Sequence, residues 1–179
     1  MRVCVRVFTL PEILDIVVTS VVAGYIFMDA FQRPGDHART FGQRLLFAIA
    51  IAAPAIVLHE LGHKFVALYF GYTAVFHAAY FWLGLGVVLR LLRFPFLFLV
   101  PAYVAIFGPG GREFAAVAYA GPLVNLVLFV GAWLALRKKW NNNTTSVLYY
   151  TQVVNGFLFV FNILPIPGFD GYNGLKNLF

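Results

Sequence analysis

The sequence predicts an all-α polytopic membrane protein with about four transmembrane helices. Of its 179 residues, 61% are hydrophobic and only 11% are charged, whereas soluble domains carry about 25% charged residues. The apolar residues also lie in long runs, as helices that cross a bilayer require. The basic residues are scattered between these runs and form no patch, so the formal charge of +6 does not indicate a nucleic-acid partner.

The first two spans begin with helix-capping patterns. The first lies at about residues 10–30, where Thr9 and Glu12 have the spacing of a capping box. Its basic and then apolar start is like a signal peptide, but no small-residue cleavage site follows, so we expect a retained span. The second span lies at about residues 40–70 and has a second capping signal at Thr40.

Residues 72–111 allow two interpretations. Two apolar stretches of about 14–16 residues, divided by Arg90 and Arg93, are short for a full span. They could form one or two further helices. Alternatively, they could form a re-entrant hairpin, which is tolerated only where protein or water covers its backbone. The residues themselves favour neither interpretation.

Two more spans follow, at about residues 113–136 and 147–164. The first ends in three basic residues, and the second ends at Pro165 and leads into the turn PIPGFDGYNG. No soluble domain, repeat or long linker is visible in the sequence. We therefore expect a single transmembrane domain over residues 1–179.

The stretch IVLHELGHKF places four titratable groups in apolar surroundings. His59 and His63 are four residues apart, so they share one helix face and can bind one metal ion. Glu60 lies about 100° further round the axis, where it can act as general base on water near the metal. Alternatively, the histidines are satisfied by neighbours and Glu60 pairs with Lys64. Because ionisable groups inside a membrane are functional by default, we favour the metal site.

A catalytic zinc ion usually has three protein ligands, so a third should lie on another element. Asp170 stands in the turn Gly168-Phe169-Asp170-Gly171, whose glycines let the backbone direct the carboxylate. A helix cap or an Asx-turn would also explain it. Because the histidine pair needs a further ligand, we favour metal binding by Asp170. The other candidates are Cys4, Asp15, Asp29, His37, His77 and Glu113. For His77 we expect a local hydrogen-bonding role, and for Lys64 an interfacial or local partner.

Three motifs together resemble the site-2 protease family of intramembrane zinc metalloproteases. They are HELGH at 59–63, AGPLVN at 120–125, and NILP at 162–165 leading to Asp170-Gly171. The resemblance implies one zinc ion per chain, with His59, His63 and Asp170 as its ligands and Glu60 as general base. It places Asn125 near the zinc, where it would hold the substrate backbone or the developing oxyanion.

The resemblance also implies an architecture and a substrate class. Residues 40–176 would form the catalytic core, and residues 72–107 a membrane re-entrant β element beside the substrate cleft. The substrate would be a transmembrane segment of another protein, cut within or at the edge of the bilayer. The protein would be a multi-pass protein of a prokaryotic cell membrane with its active site towards the cytoplasm, although the basic residues themselves favour neither orientation.

Two other functions remain as alternatives. Intramembrane histidines and an aspartate could form the transit site of a metal transporter or a metal-binding protein. The chain could also be an inactive scaffold that binds membrane helices. A transporter does not account for Glu60 at its fixed spacing or for Asn125. An inactive scaffold is disfavoured because every expected catalytic residue is present.

Overall fold

The computed structural model describes residues 7–31, 33, 39–94 and 100–178. Four of its helices are long and apolar enough to cross a membrane, which confirms the expected number of spans. In chain order the elements are α1 (Leu10–Phe27), α2 (Phe41–Tyr69), β1 (Thr73–Ala78), α3 (Tyr80–Leu91), β2 (Ala102–Phe107), α4 (Arg112–Ala135), α5 (Asn142–Ile163) and α6 (Asp170–Lys176).

The helix starts follow the capping residues. Both expected capping boxes are present, at Thr9 before α1 and at Thr40 before α2. Helix α5 begins at Asn142 rather than at the predicted 147. The reason is Asn141, whose side chain accepts a hydrogen bond from the Thr144 N–H at 2.9 Å and thereby starts the helix within the polar loop.

The segment between α2 and α4 combines the two interpretations of the sequence. Strands β1 and β2 form a two-stranded antiparallel sheet, paired from Thr73 with Phe107 to Ala78 with Ala102. The expected β element is therefore present. The apolar stretch between the strands forms α3, whose 12 residues are too few to cross a bilayer.

Helices α2 and α4 pack against each other at the centre of the bundle. Helices α1 and α5 flank them, and α6 lies against α4. One apolar cluster joins α1, α2 and α5 around Phe47 and Ile51, and a second joins α2, β1 and α4 around Ala67 and Val117. The motif HELGH lies on α2 between these clusters, so packed side chains fix the helix on both sides of it.

Candidate metal centre

His59 and His63 project from one side of α2, one helical turn apart. Their Nε2 atoms are 3.1 Å from each other, and each residue is only 7% exposed. The four-residue spacing places both rings on one face of the helix, as the sequence predicted. The two nitrogen atoms therefore converge on one point inside the bundle.

Asp170 reaches the same point from the first turn of α6. Its Oδ2 lies 3.1 Å from His59 Nε2 and 3.3 Å from His63 Nε2. Donors bound to a tetrahedral zinc ion at about 2.0–2.1 Å are about 3.3 Å apart. The three donors are therefore spaced like three corners of a zinc tetrahedron, and their chemistry suits this ion.

The surroundings of Asp170 favour its charged form. Burial raises the pKa of its carboxyl group, but the contacts of the carboxylate with the His59 and His63 rings outweigh this effect. Together they hold the pKa of Asp170 well below its usual range. At neutral pH the side chain is a carboxylate, which is the form that binds a metal ion.

Each histidine has a partner for its second ring nitrogen. His59 Nδ1 lies 2.6 Å from Asn125 Oδ1 in α4, and His63 Nδ1 lies 2.8 Å from the Val117 carbonyl oxygen, also in α4. Histidines that bind metals commonly donate their other N–H to such acceptors, which fixes the orientation of the ring. The pair is therefore arranged with both Nε2 atoms available to a metal ion.

Asn125 is fully buried and uses its whole carboxamide. Its Nδ2 donates to the Ala55 carbonyl at 2.9 Å and to Asn155 Oδ1 at 2.8 Å, while its Oδ1 faces His59. In this geometry no N–H of the side chain remains for a developing oxyanion. The predicted contact between Asn125 and a substrate therefore finds no support in these hydrogen bonds.

Glu60 lies in the wall of a cavity of about 860 Å³ that also contains His59, His63 and Asp170. The backbone N–H of Val104, in β2, lies beside its carboxylate. The proposed base, the proposed ligands and one strand thus border the same space.

The rest of the cavity wall is largely apolar. It comes from the end of α1 and from α2, β2, α4, α5 and the turn before α6, with Phe27, Phe31, Val153, Phe157, Phe161 and Asn162 among its residues. Cavities of this size hold several residues of a peptide or a drug-sized ligand.

Lys64 forms a buried ion pair with Glu12 of α1 rather than with Glu60. The two residues are 1% and 2% exposed. Lys64 Nζ also donates to the Ala74 carbonyl at 2.8 Å, and Glu12 Oε1 accepts from the Phe76 N–H at 2.9 Å. The prediction that Lys64 reaches an interface or has a local partner was wrong, because its partner Glu12 is 52 positions away in sequence. The pair joins α1 and α2 to β1.

Within the described residues, the remaining ligand candidates have contacts away from the histidine pair. Glu113 accepts from Tyr72, Asp29 pairs with Arg44 and Arg90, and Asp15 accepts from Tyr80 and lies 3.6 Å from His77. Cys4 and His37 lie outside the described residues. Asp170 is therefore the third member of the metal-binding group that the described chain contains.

Three glycines allow the backbone to approach closely around this group. A Cβ atom on Gly121 would lie 2.8 Å from His59 Cε1, one on Gly62 would lie 2.9 Å from Val124 Cγ2, and one on Gly171 would lie 2.8 Å from the Leu164 carbonyl oxygen. These distances are shorter than carbon atoms tolerate. The three glycines therefore let α2, α4 and α6 pack closely around the metal-binding group.

Comparison with known proteins identifies the family. A protein of Methanocaldococcus jannaschii named "Putative zinc metalloprotease" is 34% identical over 176 residues, which cover 94% of this chain and 85% of that protein. This chain belongs to the site-2 protease family. The name of this relative implies a zinc ion, which the spacing and chemistry of the His-His-Asp group fit.

Two mycobacterial relatives are both named "Putative zinc metalloprotease Rip2". One, from Mycolicibacterium smegmatis, is 34% identical over 159 residues, and one from Mycobacterium tuberculosis is 30% identical over 162 residues. Each match covers 79% of this chain but only 61% of the relative, so the chain spans less than two thirds of their length. No family model and no solved structure matches the chain.

The sequence did not reveal the roles of two buried polar residues, Glu12 and Asn155. The spacing of Glu12 predicts only a capping box, and no motif contains Asn155. A signal for Asn155 existed, because a carboxamide in the middle of an apolar span is costly unless it is hydrogen-bonded. Nothing in the sequence, however, indicates which residues become its partners.

Proposed function

We propose that this chain is a zinc metalloendopeptidase that hydrolyses peptide bonds in transmembrane segments of other proteins. The observation that carries the proposal is the position of Glu60. It borders one cavity with the His59, His63 and Asp170 group, and a β-strand edge forms part of the same wall. Helices long enough to cross a membrane surround that cavity. Catalytic groups, a peptide-binding edge and apolar surroundings thus occur together.

The sheet supports one direction of substrate binding. The outer edge of β1 is closed, because the Ala74 carbonyl and the Phe76 N–H are bonded to Lys64 and Glu12. Phe76 is paired with Val104 across the sheet. In an antiparallel ladder, the N–H groups of two opposite residues either both point towards the partner strand or both point away from it. The Val104 N–H therefore points out from the edge of β2, towards Glu60.

A substrate strand would add to this edge of β2. A helical substrate hides its carbonyl groups in internal hydrogen bonds, so it must unwind locally before hydrolysis. Each backbone group left unpaired in an apolar environment costs several kcal/mol. Pairing with β2 by β-augmentation replaces those hydrogen bonds and brings the extended segment next to Glu60.

The residues of the site have separate tasks in the proposed reaction. When bound, zinc supplies a Lewis acid that polarises the scissile carbonyl and acidifies water. Glu60 takes the proton of the attacking water and delivers it to the leaving nitrogen. His59, His63 and Asp170 hold the metal ion, and the apolar wall excludes bulk water from the remainder of the cavity.

The proposal includes location and partners. The chain is a membrane protein, and we place it in a prokaryotic cell membrane as a multi-pass protein with its active site towards the cytoplasm. Its partners are the lipid bilayer and a transmembrane protein substrate, and it binds one zinc ion per chain. The family membership supports these assignments.

Glu60 variants test the function. Purified protein in proteoliposomes should cleave a co-reconstituted single-span substrate, whereas Glu60→Ala should bind one zinc ion per chain and cleave nothing. The matched control is Glu113→Gln, a carboxyl change outside the cavity wall. Cleavage by Glu60→Ala at the wild-type rate would refute the mechanism.

A metal-flux assay in the same vesicles addresses the alternative function. Zinc uptake that exceeds that of empty vesicles, together with no cleavage of any membrane substrate, would support a transporter and overturn the protease. We expect cleavage without uptake.

A further inference from the structure

The orientation of the Asn125 carboxamide is determined by its neighbours. One end of this group faces two acceptors, the Ala55 carbonyl and Asn155 Oδ1, at 2.9 Å and 2.8 Å. Only the NH₂ end can serve both, since it carries two hydrogen atoms. The oxygen end must therefore face His59, whose Nδ1 lies 2.6 Å away.

This orientation determines which nitrogen of His59 carries the hydrogen. A carboxamide oxygen only accepts, so Nδ1 of His59 is the donor. In the neutral ring, Nε2 then carries no hydrogen, and this atom lies 3.1 Å from Asp170 Oδ2 in the metal-binding group. This is the tautomer in which His59 can bind a metal ion through Nε2.

The two histidines differ in what holds them. His63 donates to a backbone carbonyl, that of Val117, which no side-chain substitution removes. His59 depends on a side chain of α4, and that side chain in turn depends on α5. Substitution of either Asn125 or Asn155 can therefore remove support from His59.

Asn155 is the residue that connects α5 to the support of His59. It is the one buried residue of α5, a helix that the structure describes throughout. Its Oδ1 accepts from Asn125, and its Nδ2 donates to the Thr151 carbonyl at 2.8 Å, which orients its own carboxamide. An amide buried in an apolar bundle is destabilising unless its hydrogen bonds are made, and Asn155 makes them with Asn125 and with the Thr151 carbonyl.

We propose that Asn125 and Asn155 are positioning residues that hold His59 in its metal-binding tautomer. Zinc affinity then depends on α5, a helix that supplies no ligand itself. The inference rests on the proposed function, because it requires a metal ion at His59. It changes the role expected for Asn125 from contact with the substrate to support of a ligand.

Zinc affinity of the full-length protein tests the proposal, measured by competition with a chromophoric chelator in detergent. We expect Asn125→Ala and Asn155→Ala to weaken zinc binding by about 10- to 100-fold, the range seen when partners of metal-binding histidines are removed. Asn125→Asp retains an acceptor for His59 and should bind zinc more tightly than Asn125→Ala. The matched control is Gln152→Ala, which removes a carboxamide of α5 outside the cavity wall and should not change the affinity.

Two further measurements separate positioning from general damage. Cobalt absorption spectra report the ligand geometry, and we expect the visible bands of Asn155→Ala to change while those of Gln152→Ala do not. A double-mutant cycle between Asn125 and Asn155 should show strong coupling, with the double variant little worse than Asn125→Ala. If Asn125→Ala does not fold, Asn155→Ala and Asn155→Asp supply the comparison, with Asp keeping the acceptor for Asn125.

The outcomes distinguish this inference from the proposed function. Wild-type zinc affinity in Asn125→Ala and Asn155→Ala would overturn the inference, and if Asn125→Ala also lost cleavage it would assign Asn125 to the substrate. In both cases the protease would stand. Absence of zinc binding by the wild-type chain would instead overturn both.

Discussion

Replacing Lys64 by methionine tests the buried ion pair that joins α1 and α2 to β1. Methionine fills a similar volume, but it removes the hydrogen bonds from Nζ to Glu12 and to the Ala74 carbonyl. Breaking a buried pair by removing one partner costs about 3–5 kcal/mol. Glu12 keeps its hydrogen bonds from the Phe76 N–H and from Thr9, so we expect the lower end, about 3 kcal/mol. That corresponds to about a 100-fold change in the unfolding equilibrium.

The assay is unfolding of the purified protein by titration with a denaturing detergent, followed by circular dichroism. Lys139→Met is the control, because Lys139 is exposed beyond the end of α4 and its loss should change stability by less than about 0.5 kcal/mol. The double variant Glu12→Gln/Lys64→Met removes both charges together. It should be less destabilised than the sum of the two single variants.

Equal stability of Lys64→Met and Lys139→Met would show that the Lys64–Glu12 pair does not stabilise the fold. Additive effects in the double variant would show that the two side chains do not interact. The same samples should keep their zinc, because neither residue is a proposed ligand.

Three further predictions concern the site itself. Val104→Pro removes the N–H that points out from β2 but none that pairs with β1. Cleavage should therefore fall at least about tenfold, while zinc content stays at the wild-type level. Cleavage at the wild-type rate would argue against strand addition. Gly121→Ala should lower zinc content because its Cβ would lie 2.8 Å from His59 Cε1, whereas Gly131→Ala, with nothing within 4 Å, should not; metal analysis of both variants decides. Asp170→Asn and His59→Ala should each reduce bound zinc from one per chain to below about a tenth, and full occupancy in either would remove that residue from the ligand set.

Much of the architecture was accessible from local patterns in the sequence. Apolar runs and capping boxes at Thr9 and Thr40 depend on residues close together in the chain, and they located the four long helices. The segment 72–107 was harder, because its strands and its helix α3 have the same apolar composition. Length alone excluded a full span without saying where a strand would end and a helix begin.

The site was predictable to the extent that its residues are joined by spacing or by family motifs. His59 and His63 follow from a four-residue interval on one helix, and Asp170 followed from the resemblance and the need for a third ligand. The partners of these residues did not follow. Asn155 contacts Asn125, and Glu12 contacts Lys64, only because the folded bundle brings distant helices together. Local periodicity in the sequence does not predict such contacts.

The closed outer edge of β1 also has a consequence for stoichiometry. A sheet of two strands normally offers two edges, and a second peptide or a second copy of the chain could pair with each. Here a lysine and a glutamate occupy the main-chain groups of Ala74 and Phe76 on one side. Within the described part of the chain, the sheet can therefore accept one additional strand at a time, on the side where Glu60 lies.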